Sequence, residues 1–256
     1  QIAQARKNVH LKHRGTLLVT DSLNYDKLYD LGYFFDGGKL YDGKNTLVSD
    51  WGGYSPQARE AVFNYHVKLT NERFTLTSDT LHYNTLTKIT HIVGPSNINS
   101  DGNRIYTERG YYDTAKDYAE LFDRSVVING KSTMTGDSMY YDKKNGKMHA
   151  YNNIVYNDKG NKNLLTGDYC EYDDTTGYAM ATKNAVVRDY SSPDTLFMHA
   201  DTFKIFTYNI RTDSVYRLVH GYHKARAFRS DVQSVCDSLK YDSKNKKMTM
   251  YGNPIV

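Results

Sequence analysis

Apolar residues recur along this chain on two scales, every second residue within short runs and every 29 residues over the longer distance. The stretch "GDSMYYDKKNGKMHAYNNIVYND", Gly136–Asp158, shows the short scale: an acid, an alternating apolar run, a Lys-Asn-Gly turn and a returning apolar run. Side chains two residues apart stand on one face of a β-strand, so the passage predicts a strand, a tight turn and a second strand. Its opening nearly recurs as "TDSLNYD" at Thr20–Asp26 and as "CDSLKYD" at Cys236–Asp242.

The acid sets the longer scale. Asp21, Asp50, Asp79, Glu108, Asp137, Asp168, Asp201 and Asp237 are separated by 29, 29, 29, 29, 31, 33 and 36 residues. Equal steps followed by small insertions describe a repeat, each unit of which buries its apolar face only against its neighbours. Two residues after the acid stand Leu23, Gly52, Leu81, Gly110, Met139, Cys170, Phe203 and Leu239. Four after it stand Tyr25, Tyr54, Tyr83, Tyr112, Tyr141, Tyr172, Ile205 and Tyr241. Three before it stand Leu18, Leu47, Leu76, Ile105, Met134, Leu165 and Met198, with Ser234 breaking the column. Thirteen after it, on the return, come Phe34, Phe63, Ile92, Leu121, Ala150 and Ala181. The column before the acid is out of phase with those after it, so the strand must bend or bulge there for both halves to face one interior. Small residues just before the acid, such as Ser49, Ser78, Gly136, Gly167 and Ala200, suit such a corner.

Turn signals follow each tyrosine, as in "DKKNG" (Asp142–Gly146), "DDTTG" (Asp173–Gly177) and "DSKNK" (Asp242–Lys246), and supply the positive φ of tight hairpins. The returning strands are interrupted at mid-length by Asn-Asn, Lys-Asn, Asp-Arg or Gly-Asn, which predicts a second corner. A second turn, at Asn99–Asn103 or Asn157–Asn161, closes the unit. One repeat therefore reads as two bent antiparallel strands. Eight repeats make roughly 16 strands and, at ~4.8 Å per strand, a trough about 75 Å long. The chain divides into an N-terminal lead-in, residues 1–16, and a continuous repeat region, 17–256, with repeats starting near 18, 47, 76, 105, 134, 165, 198 and 234. "SPQAREAVFNY", Ser55–Tyr65, is the passage nearest to a helical pattern, but it holds the repeat register and is read as strand. The segment 196–236 is irregular, with a loop near "YRLVHGYHKARAFRSD".

Composition narrows the function. With 24 Tyr and only 4 Pro the chain leans towards strands. The 33 Lys and Arg are interleaved with 29 Asp and Glu, leaving +4 with no basic run, which argues against nucleic acid. No stretch approaches the ~18 apolar residues of a membrane helix, and Gln1–Arg14 is too polar for the core of a signal peptide. The stop at Val256, directly after a strand, implies that the natural chain continues. Cys170 and Cys236 have no metal-ligand or redox spacing and are expected as buried free thiols, a disulfide being the alternative. The nine His are scattered, and His220-Gly-Tyr-His223 is their closest cluster, expected in a solvated loop. No Gly-x-Ser-x-Gly elbow, phosphate loop or dinucleotide fingerprint occurs.

Two candidate chemistries remain. The recurring acid resembles a catalytic carboxylate, but enzymes use such groups in pairs at a tuned separation, not as a ladder of eight. Each acid is read instead as a structural corner post that accepts backbone N–H bonds, as in an Asx-turn. Calcium-repeat ligand density is missing as well, so no metal or other cofactor is expected. The interior columns are the second candidate, either as a core that merely fills itself or as a groove for acyl chains. Gly52 and Gly110 in one column, and Gly32, Ala61, Ala119 and Ala179 in another, are small enough to leave interior volume. Lys12, His13 and Arg14, or Lys224, Arg226 and Arg229, could meet lipid phosphates at a rim; a solvated surface is the competing reading.

The corner Gly/Ala/Ser-Asp-x-apolar-x-Tyr, the short turn after it, the returning strand and the terminal "MTMYGNPIV" resemble the OstA-like (LptA-like) family of lipopolysaccharide-transport bridge proteins. The resemblance spans Leu17–Val256 and rests on register, not on one diagnostic residue. It implies an all-β fold, an elongated, twisted, V-shaped antiparallel β-jellyroll, or β-taco, of about eight repeats. It further implies a non-enzymatic scaffold in the periplasm or envelope of a Gram-negative bacterium, binding lipopolysaccharide or a related glycolipid and pairing edge-to-edge with other jellyroll modules. The lipid-facing residues would be Leu23, Tyr25, Phe34, Leu47, Phe63, Leu76, Leu81, Tyr83, Ile92, Ile105, Tyr112, Leu121, Met134, Met139, Tyr141, Leu165 and Tyr172. The alternatives are an extracellular β-solenoid that binds or cleaves polysaccharide, marked by aromatics on an outer face, and a purely structural β-stack.

Overall fold

A computed structural model of the 256-residue chain describes residues 1–100 and 102–256. Among the described residues the chain forms 21 strands and no helix, and every strand pairing is antiparallel. No helix is long and apolar enough to cross a membrane. The chain divides into two compact units, Gln1–Ser125 and Val126–Val256, and the boundary falls within the strand Tyr118–Asn129. Within each unit the chain runs as a meander in which neighbours in sequence pair in space, as Glu60–Thr70 does with Thr75–Asn84 and that strand with Ile89–Ser100.

Strands open at Thr16, Asn45, Thr75, Asn103, Ser132, Asn163, Leu196 and Val232, each within two residues of a start read from the sequence. The N-terminal lead-in is itself a strand, Ile2–His13, paired with Thr16–Asp26. In "SPQAREAVFNY", Pro56–Arg59 is a turn and Glu60 begins a strand. The turn read at Asn99–Asn103 contains Asp101, which lies outside the described residues. One expectation fails. "YRLVHGYHKARAFR" is not a loop but the longest strand, Tyr216–Arg229, and the irregularity sits before it, in the turn at 209–215. Its clustered charges misled because they lie at a bend and at outward positions, while Ala225 and Ala227 keep the buried alternation.

The predicted corners are where pairing slips. Register shifts fall between Asn64 and Val67, Thr135 and Ser138, Tyr151 and Ile154, and Tyr222 and Ala225. On five of the returning strands the bend is made by a pair in the left-handed region: Tyr65-His66, Asp123-Arg124, Asn152-Asn153, Lys183-Asn184 and His223-Lys224, all with φ of 50–66°, whereas a single glycine, Gly37 or Gly94, takes the positive φ on two others. Each such residue costs about 1–2 kcal/mol unless it is Gly, or Asn or Asp bonding locally. The acid opposite supplies compensating bonds. Its own N–H donates to the carbonyl of the first residue of the pair, as Asp50 to Tyr65 at 3.0 Å, Asp168 to Lys183 at 2.9 Å and Asp201 to His223 at 3.1 Å. Its carboxylate accepts from the second: Asn153 Nδ2 to Asp137 at 2.6 Å and Asn184 Nδ2 to Asp168 at 2.8 Å, with His66 Nδ1 2.6 Å from Asp50.

The acids are thus bonded differently from the expected Asx-turn. Of these contacts, Asp21 alone takes a backbone amide, from Asn8 at 2.9 Å, and that amide belongs to the facing strand. The residue before the acid also acts. In the first unit the hydroxyls of Ser49, Ser78 and Thr107 donate to the carbonyl two residues on at 2.7, 3.0 and 3.0 Å, capping a backbone group that the bend frees. The second unit has Gly136, Gly167, Ala200 and Cys236 there instead.

Replacing Asn184 by Val should cost about 1–3 kcal/mol, from a β-branched residue at φ of 57° and the lost bond to Asp168. Asn184→Gly, which relieves the strain and loses only the bond, should cost less. Urea unfolding midpoints of the two variants check this order.

Candidate functional site

The residues read as lipid-facing do lie in the interior of the units. Phe34, Leu47, Leu76, Leu81, Tyr83, Ile92, Leu121 and Met139 are wholly inaccessible to solvent, and Leu23, Phe63, Ile105, Tyr112, Met134 and Leu165 are buried. Tyr25, Tyr141 and Tyr172 are half-buried. Strand pairing aligns the columns across neighbours: Leu47 faces Leu69, Leu69 faces Leu76 and Leu76 faces Ile98, while Phe63 faces Leu81 and Leu81 faces Ile92. The interior is a continuous apolar stripe in each unit, built one row per strand.

The glycines do not open this interior. A Cβ on Gly52 would come within 2.5 Å of the Phe34 ring, and one on Gly38 within 2.7 Å. A Cβ on Gly221 would meet the Phe203 ring at 2.8 Å, and one on Gly110 would strike the Glu120 carbonyl at 2.3 Å. Each missing side chain is the seat of a neighbouring ring or strand. The expectation that small residues leave volume therefore fails at Gly52 and Gly110; dense packing has used the space.

The tyrosine column does more than line the stripe. Its hydroxyls reach turns that lie two repeats earlier in the sequence. Tyr83 donates to Asp42 at 2.8 Å and receives the Asn45 amide at 2.8 Å, while Lys88 Nζ sits 2.5 Å from Asp42. In the second unit Tyr241 donates to Asp189 at 2.7 Å, with Lys246 Nζ 3.0 Å from the same carboxylate and 2.6 Å from Ser191. The spacings coincide, for Tyr follows Asp by 41 residues in one case and by 52 in the other, and the difference is the later insertions. Tyr54 meets His13 at 3.2 Å by the same offset, and Phe74 packs on Tyr112 with ring centroids 4.6 Å apart. Arg73 adds an ion pair to Asp117 at 3.6 Å, and Tyr112 also donates to Asp117. Where Ile205 replaces the tyrosine, Arg217 takes over and binds Asp158 at 2.8 Å. Asp42, Asp158 and Asp189 are all about 5% exposed.

Burial, then the carboxylate beside it, raises the ionisation of Tyr83 and of Tyr241 well above the ordinary phenol. Burial pushes Asp189 up, but the bonds from Ser191, Tyr241 and Lys246 outweigh it and hold the carboxyl below its ordinary value. Sequence reading missed these acids, although a signal existed: the position 21 residues after the corner acid carries Asp42, Asn71, Asn129, Asp158 and Asp189.

Other candidates do not converge. Cys170 and Cys236 are buried free thiols, and burial pushes Cys170 up to about 12. His220 lies near Tyr222, and His223 faces Asp237 at 3.6 Å, so the pair is divided between partners. No group of three His, Cys, Asp or Glu side chains converges among the described residues. Lys12 and Arg14 are exposed beside a turn, while Lys224 pairs with Asp201 at a bend and Arg229 with Asp231. An outer face does carry aromatics. His91 stacks on Tyr111 at 4.6 Å with Phe122 beyond, and Tyr140, Tyr151 and Tyr169 form a second cluster.

Two measurements check this geometry. Gly52→Ala should destabilise the fold by about 1–3 kcal/mol through overpacking, and Phe34→Leu should restore part of the loss in the double variant. The folded value of Asp189 is lowered, so its stabilisation is full above the unfolded carboxylate value of about 3.9 and is lost as pH falls through the folded value. Asp189→Asn should therefore flatten the acid limb of the stability profile, read as urea midpoints at pH 3 to 7.

No curated protein matches the chain. Among solved structures, the chain is similar to LptH, "the LptA homologous periplasmic component of the conserved lipopolysaccharide transport device from Pseudomonas aeruginosa". The two are 15% identical, with a TM-score of 0.40 over 47% of this chain and 82% of that one. Residues 1–79 match the family model described as OstA-like protein. That segment spans the first corners, Asp21, Asp50 and Asp79.

Proposed function

We propose that the chain is a non-enzymatic lipid-binding and transfer scaffold of the Gram-negative cell envelope, whose interior columns receive the acyl chains of lipopolysaccharide or a related glycolipid. The observation that carries this reading is the continuous apolar stripe in each unit, repeated row by row behind an OstA-like N-terminus. Each methylene that enters such a stripe contributes about 0.8 kcal/mol, so roughly ten offer about 8 kcal/mol against the work of parting the faces. Affinity then needs no catalytic group. The corner acids are engaged in holding bends, which supports a structural role for them. The strand Ile2–His13, exposed over most of its length, offers an edge for strand addition by another jellyroll module.

The outer aromatics favour a second reading, a polysaccharide-binding face. Tyr111 and Tyr151 are 42% and 40% exposed, and flat rings at such positions suit sugar stacking. The interior stripe is the longer and more regular feature, and for that reason the lipid reading is preferred.

A fluorescent acyl probe bound to delipidated protein should be displaced by lipopolysaccharide, and Leu81→Asp or Met139→Asp should abolish probe binding while far-UV circular dichroism is retained. Binding that survives both changes in folded protein overturns the interior assignment. Retention on a polysaccharide column that Tyr111→Ala or Tyr151→Ala removes, with no acyl-probe binding, establishes the second reading.

A further inference from the structure

We infer that the groups formed by a buried carboxylate, a buried tyrosine and a partly exposed lysine are clasps that hold the open side of each unit shut, and that their release admits a ligand to the apolar stripe. The inference rests on the acyl-chain reading only for the ligand; the clasp itself follows from geometry. The acid-bearing strands shift register at the acid, so each has a half before the bend and a half after it. The turn at Gly43-Lys44 ends the halves on one side, and the turn at Thr85–Thr87 ends those on the other. Asp42 and Asn45 flank the first turn, and Tyr83 and Lys88 flank the second. Their contact brings together the two rows of turns, at the ends of the strands farthest from the bends.

Asp189 and Ser191 against Tyr241 and Lys246 repeat the arrangement in the second unit. Lys88 and Lys246 come five residues after Tyr83 and Tyr241, at matching places in their repeats. Arg73 with Asp117 and Arg217 with Asp158 close the same seam with the signs placed differently. A core needs no such groups to stay together. A buried ion pair is commonly no more stabilising than a well-packed apolar replacement, so its value lies in specifying one arrangement against another. Here the alternative is an open seam. The interior rows behind it are held by dispersion and apolar burial, which are non-directional and transfer readily to an entering chain. The clasps are directional and do not.

Cys170 reports on opening without any lipid, because it lies in the interior column and is 3% exposed. In a Cys236→Ser background, labelling of Cys170 by a chromogenic disulfide reagent should be slow. Tyr241→Phe, which removes one oxygen and keeps the ring, should raise the labelling rate at least tenfold, and Asp189→Asn should do the same, with cooperative urea unfolding preserved. Uptake of the fluorescent acyl probe should accelerate in parallel. Should Tyr241→Phe unfold the unit, Lys246→Met, at a half-exposed position, carries the test with the same expected direction. Faster labelling without probe uptake in any form supports the clasp and overturns the acyl-chain reading. Unchanged labelling in folded variants, with the probe still bound, overturns the clasp and leaves the lipid reading intact.

Discussion

Everything in this fold follows from making a long strand turn a corner without losing its hydrogen bonds. A straight strand alternates its faces strictly, and the apolar columns before and after each corner acid are out of phase by one residue. The bend resolves that conflict by setting two left-handed residues of the returning strand against the single acid, a one-residue excess that lets both halves face one interior. The left-handed pair is strained, and the acid opposite offsets the strain by donating its own amide and accepting a side-chain donor. The device recurs at most corners, and opposite Asp79 the single glycine Gly94 takes the positive φ instead.

The consequence for function is that the interior is generic and its boundary is specific. Leu, Ile, Phe and Met side chains make up most of the stripe, and the tyrosines among them direct their hydroxyls to the seam. Access is set where the two rows of turns meet. There the chain places a buried Asp and Tyr and a partly exposed Lys in contact, with Asp and Tyr 41 residues apart in one unit and 52 in the other. The tyrosine column thus has two ends with different roles, a ring that completes the apolar row and a hydroxyl that reaches the seam. His13, Phe74 and Arg217 show that the seam tolerates different chemistry from row to row.

The two units solve the corner in different ways. In the first, Ser or Thr before the acid caps a carbonyl of the bend, and Ser78 and Thr107 are joined to Ser96 and Ser125 by hydroxyl bonds of 2.7 Å. In the second, Gly, Ala or Cys occupies the place and apolar contacts fill the corner, as Met139, Ala150 and Ile154 do around Gly136.

Much of this was legible in the amino-acid order. Alternation determined the strands, the 29-residue stride located the corners, and the out-of-phase columns required the bends, because each depends only on the two-residue period of an extended backbone. Even the failure at Tyr216–Arg229 was local, a charged bend mistaken for a loop. What the order could not determine was which rows meet across the interior. Gly52 reads as empty space until the Phe34 ring is seen lying on it, and Asp42 reads as a turn residue until Tyr83 arrives from two repeats away. Those contacts depend on how the two halves of a bent strand close over each other and on how far the stack advances per repeat. That pitch belongs to the folded object, and no window along the chain contains it.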